Sequence, residues 1–174
     1  MKRILITAAV ALVALSSACG TTGGQAKPGP TSAAPTSDTT AVLDTVKPCD
    51  LLTEDEVKSF GLDYPGTAQK TGAADECVWK ALASSHISAG IRPKDGLKDL
   101  NVGGDKNSDI KVGKFDAVRS EGFEGAKNIC AVLISVTPTS SITVISILDL
   151  SSTDMATACD RAEKAADKVA AKLP

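Results

Sequence analysis

The chain has few aromatic and imidazole side chains: one Trp, one Tyr, three Phe and one His in 174 residues. With His86 alone, a His-rich metal site is excluded, and any Ser–His–Asp chemistry would have to use that one imidazole. No Cys-x-x-Cys pair occurs, so the close ligand pairs of a structural zinc site are missing. No apolar run approaches the roughly 20 residues needed to span a bilayer as a helix. Basic residues are not in excess, at 19 against 21 acidic ones, and no basic patch has aromatic neighbours. Nucleic acid is therefore not an expected partner.

What is present begins at the N-terminus. Lys2 and Arg3 precede an apolar run over Ile4 to Leu15, followed by the small residues Ser16, Ser17 and Ala18. This is the layout of a secretory signal peptide over residues 1–18. Cys19 and Gly20 follow at once and resemble a bacterial lipobox, in which the thiol carries diacylglycerol as a thioether. The usual Leu three places before the cysteine is replaced by Ser16, with Leu15 one place further back. Ser16 and Ala18 also suit an ordinary signal peptidase, so release of a soluble form is the alternative. The expected location is the outer face of a membrane, with the lipid on Cys19 as anchor. Loss of Lys2 and Arg3 with the leader leaves 17 basic against 21 acidic residues, a formal charge of −4.

Residues 20–40 hold four Gly, three Pro and eight Ser or Thr, 15 of 21 positions. Such a composition buries too little apolar surface to offset ordering entropy. Residues 19–46 therefore read as a lipidated cysteine with a disordered linker, reaching roughly 30 Å as a coil. Residues 47–174 read as one domain of ordinary size.

Four cysteines remain in that domain: Cys49, Cys77, Cys130 and Cys159. An even number in an exported chain implies two disulfides, with three possible pairings. Joining chain neighbours, Cys49–Cys77 and Cys130–Cys159, is the expected arrangement. Each closure would be worth about 3–4 kcal/mol by the chain-entropy estimate. These staples matter more in a core built from Val, Ile, Leu and Ala than in one with large rings.

Thr53-Glu54-Asp55-Glu56 spells a capping box, Leu52 and Val57 stand at hydrophobic-staple positions, and Gly61 supplies a stop. A short helix is expected over 53–60. Strands are expected at 77–82 and 86–92; in the second, Ile87, Ala89 and Ile91 alternate with His86, Ser88, Gly90 and Arg92, the period of a half-buried strand. A brief helix is expected over 95–101 and a single strand over 111–119. Ile129–Val136 and Ile142–Leu150 are β-branched on both faces and flank a Thr-Pro-Thr-Ser turn, which predicts a central hairpin. A last helix runs from near Ser152 to Leu173, with Met155, Cys159, Ala162, Ala166, Val169 and Leu173 on one face. Asp160 and Lys164 pair on the other. The fold class is α+β: a mainly antiparallel sheet packed with helices.

Pro48-Cys49-Asp50-Leu51-Leu52-Thr53, the Cys77-Val78-Trp79 strand, the Cys130 strand and the closing Cys159-Asp160-Arg161-Ala162-Glu163 helix ending in Leu173-Pro174 resemble one family. It is the uncharacterised secreted lipoprotein family of actinobacteria defined by a domain of unknown function (3558). The resemblance covers residues 47–174 and implies export, anchoring and disulfides, but no activity. More loosely, the topology resembles the PsbP-like sandwich of photosystem accessory proteins, which implies binding or assembly roles.

Other candidate sites have plainer explanations. His86 falls on the polar face of its strand, without a nucleophile elbow. Asp105, Asn107, Asp109 and Asp116 sit at calcium-loop spacings, but Ile110 replaces the required glycine; a polar turn after Gly103-Gly104 accounts for them. Glu54, Asp55 and Glu56 suit the first turn of a helix. Trp79 reads as a core residue beside a disulfide. No catalytic residue, metal or cofactor is expected. The expectation is a non-catalytic binding or accessory module for a protein partner or small ligand. The alternatives are a carrier of lipid or other hydrophobic ligands, with a cavity between sheet and helices, and an envelope hydrolase.

Overall fold

The structure, a computed structural model, describes residues 43–81 and 84–174. The leader, Cys19 and the linker through residue 42 lie outside the described residues. Seven strands form one antiparallel sheet: β1 (Thr67–Thr71), β2 (Ala74–Lys80), β3 (His86–Arg92), β4 (Lys106–Val112), β5 (Phe115–Glu121), β6 (Ile129–Thr137) and β7 (Ser140–Ile147). Their order is β1-β2-β3-β7-β6-β5-β4. Two meanders, β1–β3 and β4–β7, are thus zipped together where β7 pairs with β3. The strongest hydrophobic runs, β6 and β7, lie in the middle of the sheet, where both faces are covered.

Two α-helices complete the fold of the described residues. In α1 (Glu54–Ser59) both halves of the capping box form: Glu56 N donates to Thr53 Oγ1 at 3.3 Å and Thr53 N donates to Glu56 Oε2 at 2.8 Å. The longer α2 (Met155–Ala170) starts three residues later than its periodicity suggests, because the Asp154 carboxylate accepts from Thr157 N at 3.0 Å and sets the cap there. Its buried stripe of Ala158, Cys159, Ala162, Ala165, Ala166 and Val169 packs on one face of the sheet. Facing it are Trp79, Ile87, Ala89, Val132, Ile134, Ile142 and Val144, all buried. Each fully buried Val or Ile contributes about 1.5–3 kcal/mol relative to exposure.

Disulfides join Cys49 to Cys77 and Cys130 to Cys159. The first ties the 3-10 turn at Pro48–Asp50 to β2; the second ties β6 to α2. Polar ties add to them. Arg119 on β5 donates to Glu163 on α2 at 3.0 Å, and Lys172 reaches both Glu56 (2.6 Å) and the Leu51 carbonyl (2.8 Å). Asp160 and Lys164 pair at 2.8 Å.

Four expectations need correction. The stretch 111–119 is not one strand: Gly113, at φ +56°, turns the chain, and Val112 pairs with Phe115 across a two-residue loop. Glycine first in such a loop matches a type II′ hairpin. The same device, Gly72 at φ +59°, makes the β1–β2 hairpin, in which β1 was unforeseen. Asn107 and Asp109 stand on β4 rather than in a polar turn. Strand β3 is not half-exposed, since Ser88 and Gly90 are as buried as Ile87 and Ala89. Finally, Leu43 is only 2% exposed and belongs to the core, so the packed region takes in residues grouped above with the linker.

Candidate functional site

The register places every second residue of β2, β3, β7 and β6 on the face turned away from α2. Glu76 pairs with Gly90, Gly90 with Thr143, and Thr143 with Leu133. Ala74, Arg92 and Ile145 extend the same face. Two connections lie over it: the segment after the 3-10 turn Leu97–Asp99, which contributes Leu100 and Asn101, and the turn Phe123–Gly125, which contributes Phe123 and Glu124. Together they border an open-mouthed pocket of about 230 Å³.

Unlike charges line it. Glu76 is only 9% exposed, and its Oε2 accepts from Thr71 Oγ1 at 2.6 Å and Gln69 Nε2 at 2.9 Å. Burial pushes its carboxyl up. Hydrogen bonds from Ser88, Thr71 and Gln69 and the Arg92 charge outweigh that effect, so the group sits below its ordinary value and stays ionised. Arg92 Nη1 donates to Thr143 Oγ1 at 3.0 Å. A guanidinium has five N–H donors and a carboxylate about four acceptor positions, so both retain capacity for a ligand. Leu100, Phe123, Leu133 and Ile145 supply the apolar wall.

A second depression lies where Ser59 and Phe60 at the end of α1 meet Arg161, Lys164 and Lys168 of α2. Arg161 donates to Ser85 Oγ at 2.6 Å, and burial lowers its pKa. Lys164 is already held by Asp160. This depression is larger and more open, at about 550 Å³, and the buried Arg161 Nε there has no hydrogen-bond partner among the described residues.

A family model matches residues 14–172, nearly the whole chain. The chain belongs to this family, a protein family of unknown function (DUF3558). No curated protein and no solved structure is significantly similar to it. The looser likeness to PsbP is not confirmed by these comparisons.

The DUF3558 domain disperses the candidates singled out from sequence. His86 lies at the start of β3, its Nδ1 3.0 Å from the Ser84 carbonyl oxygen. Asn107 and Asp109 are on β4, while Asp116 on β5 pairs with Lys111 at 2.5 Å. No group of three or more metal-ligating side chains occurs among the described residues. Glu54 engages Lys58 at 2.6 Å, and Glu56 is committed to Thr53 and Lys172. Trp79 is fully buried next to Cys77 in the core. Cys19 lies outside the described residues. Among the described residues no helix is long and apolar enough to cross a membrane.

Sequence reasoning did not find Glu76, Gly90, Arg92 or Thr143 as a group. The available signal was a charged or side-chain-free position inside strands otherwise rich in apolar residues.

Proposed function

We propose that this DUF3558 protein is an exported lipoprotein, held to the outer face of a membrane through Cys19, whose domain binds a partner without catalysing a reaction. The anchoring half rests on the leader over residues 1–18 and on cysteine count. With four of the five cysteines in disulfides, Cys19 is the odd one, as a thioether-linked anchor requires. Disulfides also suit an oxidising compartment.

The binding half is carried by one observation: a concave site on the sheet that combines opposite charges with an apolar wall. His86, whose ring meets a backbone carbonyl, has no hydrogen bond to a nucleophile among the described residues. The carrier alternative needs room between sheet and helix. Ala158, Ala162, Ala165 and Ala166 are instead fully buried there, which favours close packing over a cavity.

Fractionation of producing cells and native mass spectrometry of protein extracted without reductant test this reading. Acyl chains on Cys19, and loss of Cys19→Ser protein from the membrane fraction, are expected. Unacylated protein in the cytosol would refute the anchor. Steady turnover of a substrate, abolished by one side-chain change, would refute the non-catalytic role.

A further inference from the structure

Gly90 is the least expected residue of the pocket. It sits in the middle of an interior strand, between Glu76 on β2 and Thr143 on β7. Its φ is not in the left-handed region. A Cβ there would meet Ala74 Cβ at 3.5 Å, Glu76 Cβ at 3.9 Å and Glu76 Cγ at 4.0 Å, all ordinary contacts. Neither backbone nor packing therefore requires glycine, although it costs about 0.5–1 kcal/mol relative to alanine in a strand. Gly66 shows the contrast: a Cβ there would fall 2.5 Å from Trp79 Nε1 and 2.6 Å from Cys77 Sγ, so packing alone demands it. Interior strand glycines often mark a bulge, a tight bend or a place where a ligand or another backbone approaches closely, and the pairing of Gly90 with both neighbours shows no bulge. At Gly90 the missing side chain keeps the pocket floor open between a carboxylate and a guanidinium.

Those two charges do not neutralise each other directly. Glu76 bonds to Gln69 and Thr71, and Arg92 bonds to Thr143. A simple anion would meet the carboxylates of Glu76 and Glu124, and a simple cation would meet Arg92. A molecule carrying both charges satisfies both sides. The volume is small, about 230 Å³. That is below the range of drug-sized sites and suits a molecule of amino-acid size.

We propose that this pocket binds a small aliphatic zwitterion: its carboxylate on Arg92 and Thr143, its ammonium on Glu76, its apolar part against Leu133, Ile145 and Phe123, and its body over Gly90. The proposal rests on the binding-module reading and names the ligand class.

Calorimetric titration of the full chain, disulfides intact, with L-valine, L-isoleucine and L-leucine tests it. At least one should bind. N-acetylation, which removes the ammonium, and amidation, which removes the carboxylate, should each weaken that ligand by about ten-fold or more. Gly90→Ala should keep or raise the Tm while lowering affinity by a similar factor, a combination that a purely structural role would not produce. Arg92→Gln should lower affinity for the free acid by more than it lowers affinity for the amide. No binding of any of the three amino acids, equal binding of the blocked derivatives, or full affinity in Gly90→Ala overturns the proposal. An endogenous non-covalent mass in the native spectrum, without amino-acid binding, would overturn this ligand class alone and leave the binding module standing.

Discussion

On the α2 side of the sheet, Ile87, Val132, Ile134, Ile142 and Val144 meet a helix face of alanines, and a disulfide locks the two layers. On the other side, Glu76, Ser88, Arg92 and Thr143 stand at alternate positions of the same strands, covered only by short turns. Both faces are buried, but for different reasons. The first excludes water by filling space with small and branched side chains, which is how a structural core is stabilised. The second encloses polar groups whose hydrogen bonds hold them in place around a gap. One set of strands thus carries a filled core on one face and a polar-lined gap on the other.

The largest test of that division is the pair of disulfides. Replacing Cys130 and Cys159 together by Ser should lower unfolding free energy by about 3–4 kcal/mol, read from denaturant curves by the fluorescence of buried Trp79. The pocket should survive, because none of its lining residues is a disulfide partner. If amino-acid binding vanished under conditions where the variant is still folded, the two faces would be coupled and the division would fail.

A smaller effect sharpens the same contrast. Ala166 is fully buried against the sheet, so Ala166→Leu should overpack the interface and cost about 1–3 kcal/mol. Adding one methyl on the opposite face at Gly90 should cost nothing in stability. Thermal unfolding of the two variants side by side decides the matter; equal losses would mean that the pocket face is packed as tightly as the core.

The helix face was legible in the sequence and the pocket was not, for a physical reason. The stripe of α2, the capping box at Thr53 and the β-branched runs of β6 and β7 are local patterns, each set by residues within one turn or one strand. Strand β1, Thr-Ala-Gln-Lys-Thr, is exposed at every position and exists because Gly72 folds it back onto β2. No hydrophobic period could announce it. The pocket is assembled by register: Glu76, Arg92 and Thr143 come from three strands, the last two 51 residues apart in the chain. Alternation along β3 was correctly periodic, yet it suggested a solvent face. The cover comes from Leu100, Asn101, Phe123 and Glu124, in connections whose sequence gives no hint of where they lie.

The smallest expected effect concerns the charge of Glu76. Its folded-state pKa is depressed, so the unfolded chain binds the proton more readily as pH falls. The stability that this carboxylate contributes is present above the ordinary carboxyl range. It is lost as pH drops through the lowered folded value. Glu76→Gln removes the charge but keeps an acceptor for Thr71, and should cost about 1 kcal/mol at neutral pH. Glu56 and Glu121 are also depressed and remain in the variant, so both proteins lose stability in acid. The difference between them is therefore the informative quantity: it should shrink toward zero as pH falls below the carboxyl range. A difference that stayed constant with pH would mean that Gln differs from Glu by packing alone, and the pocket would not owe its order to an ionised carboxylate.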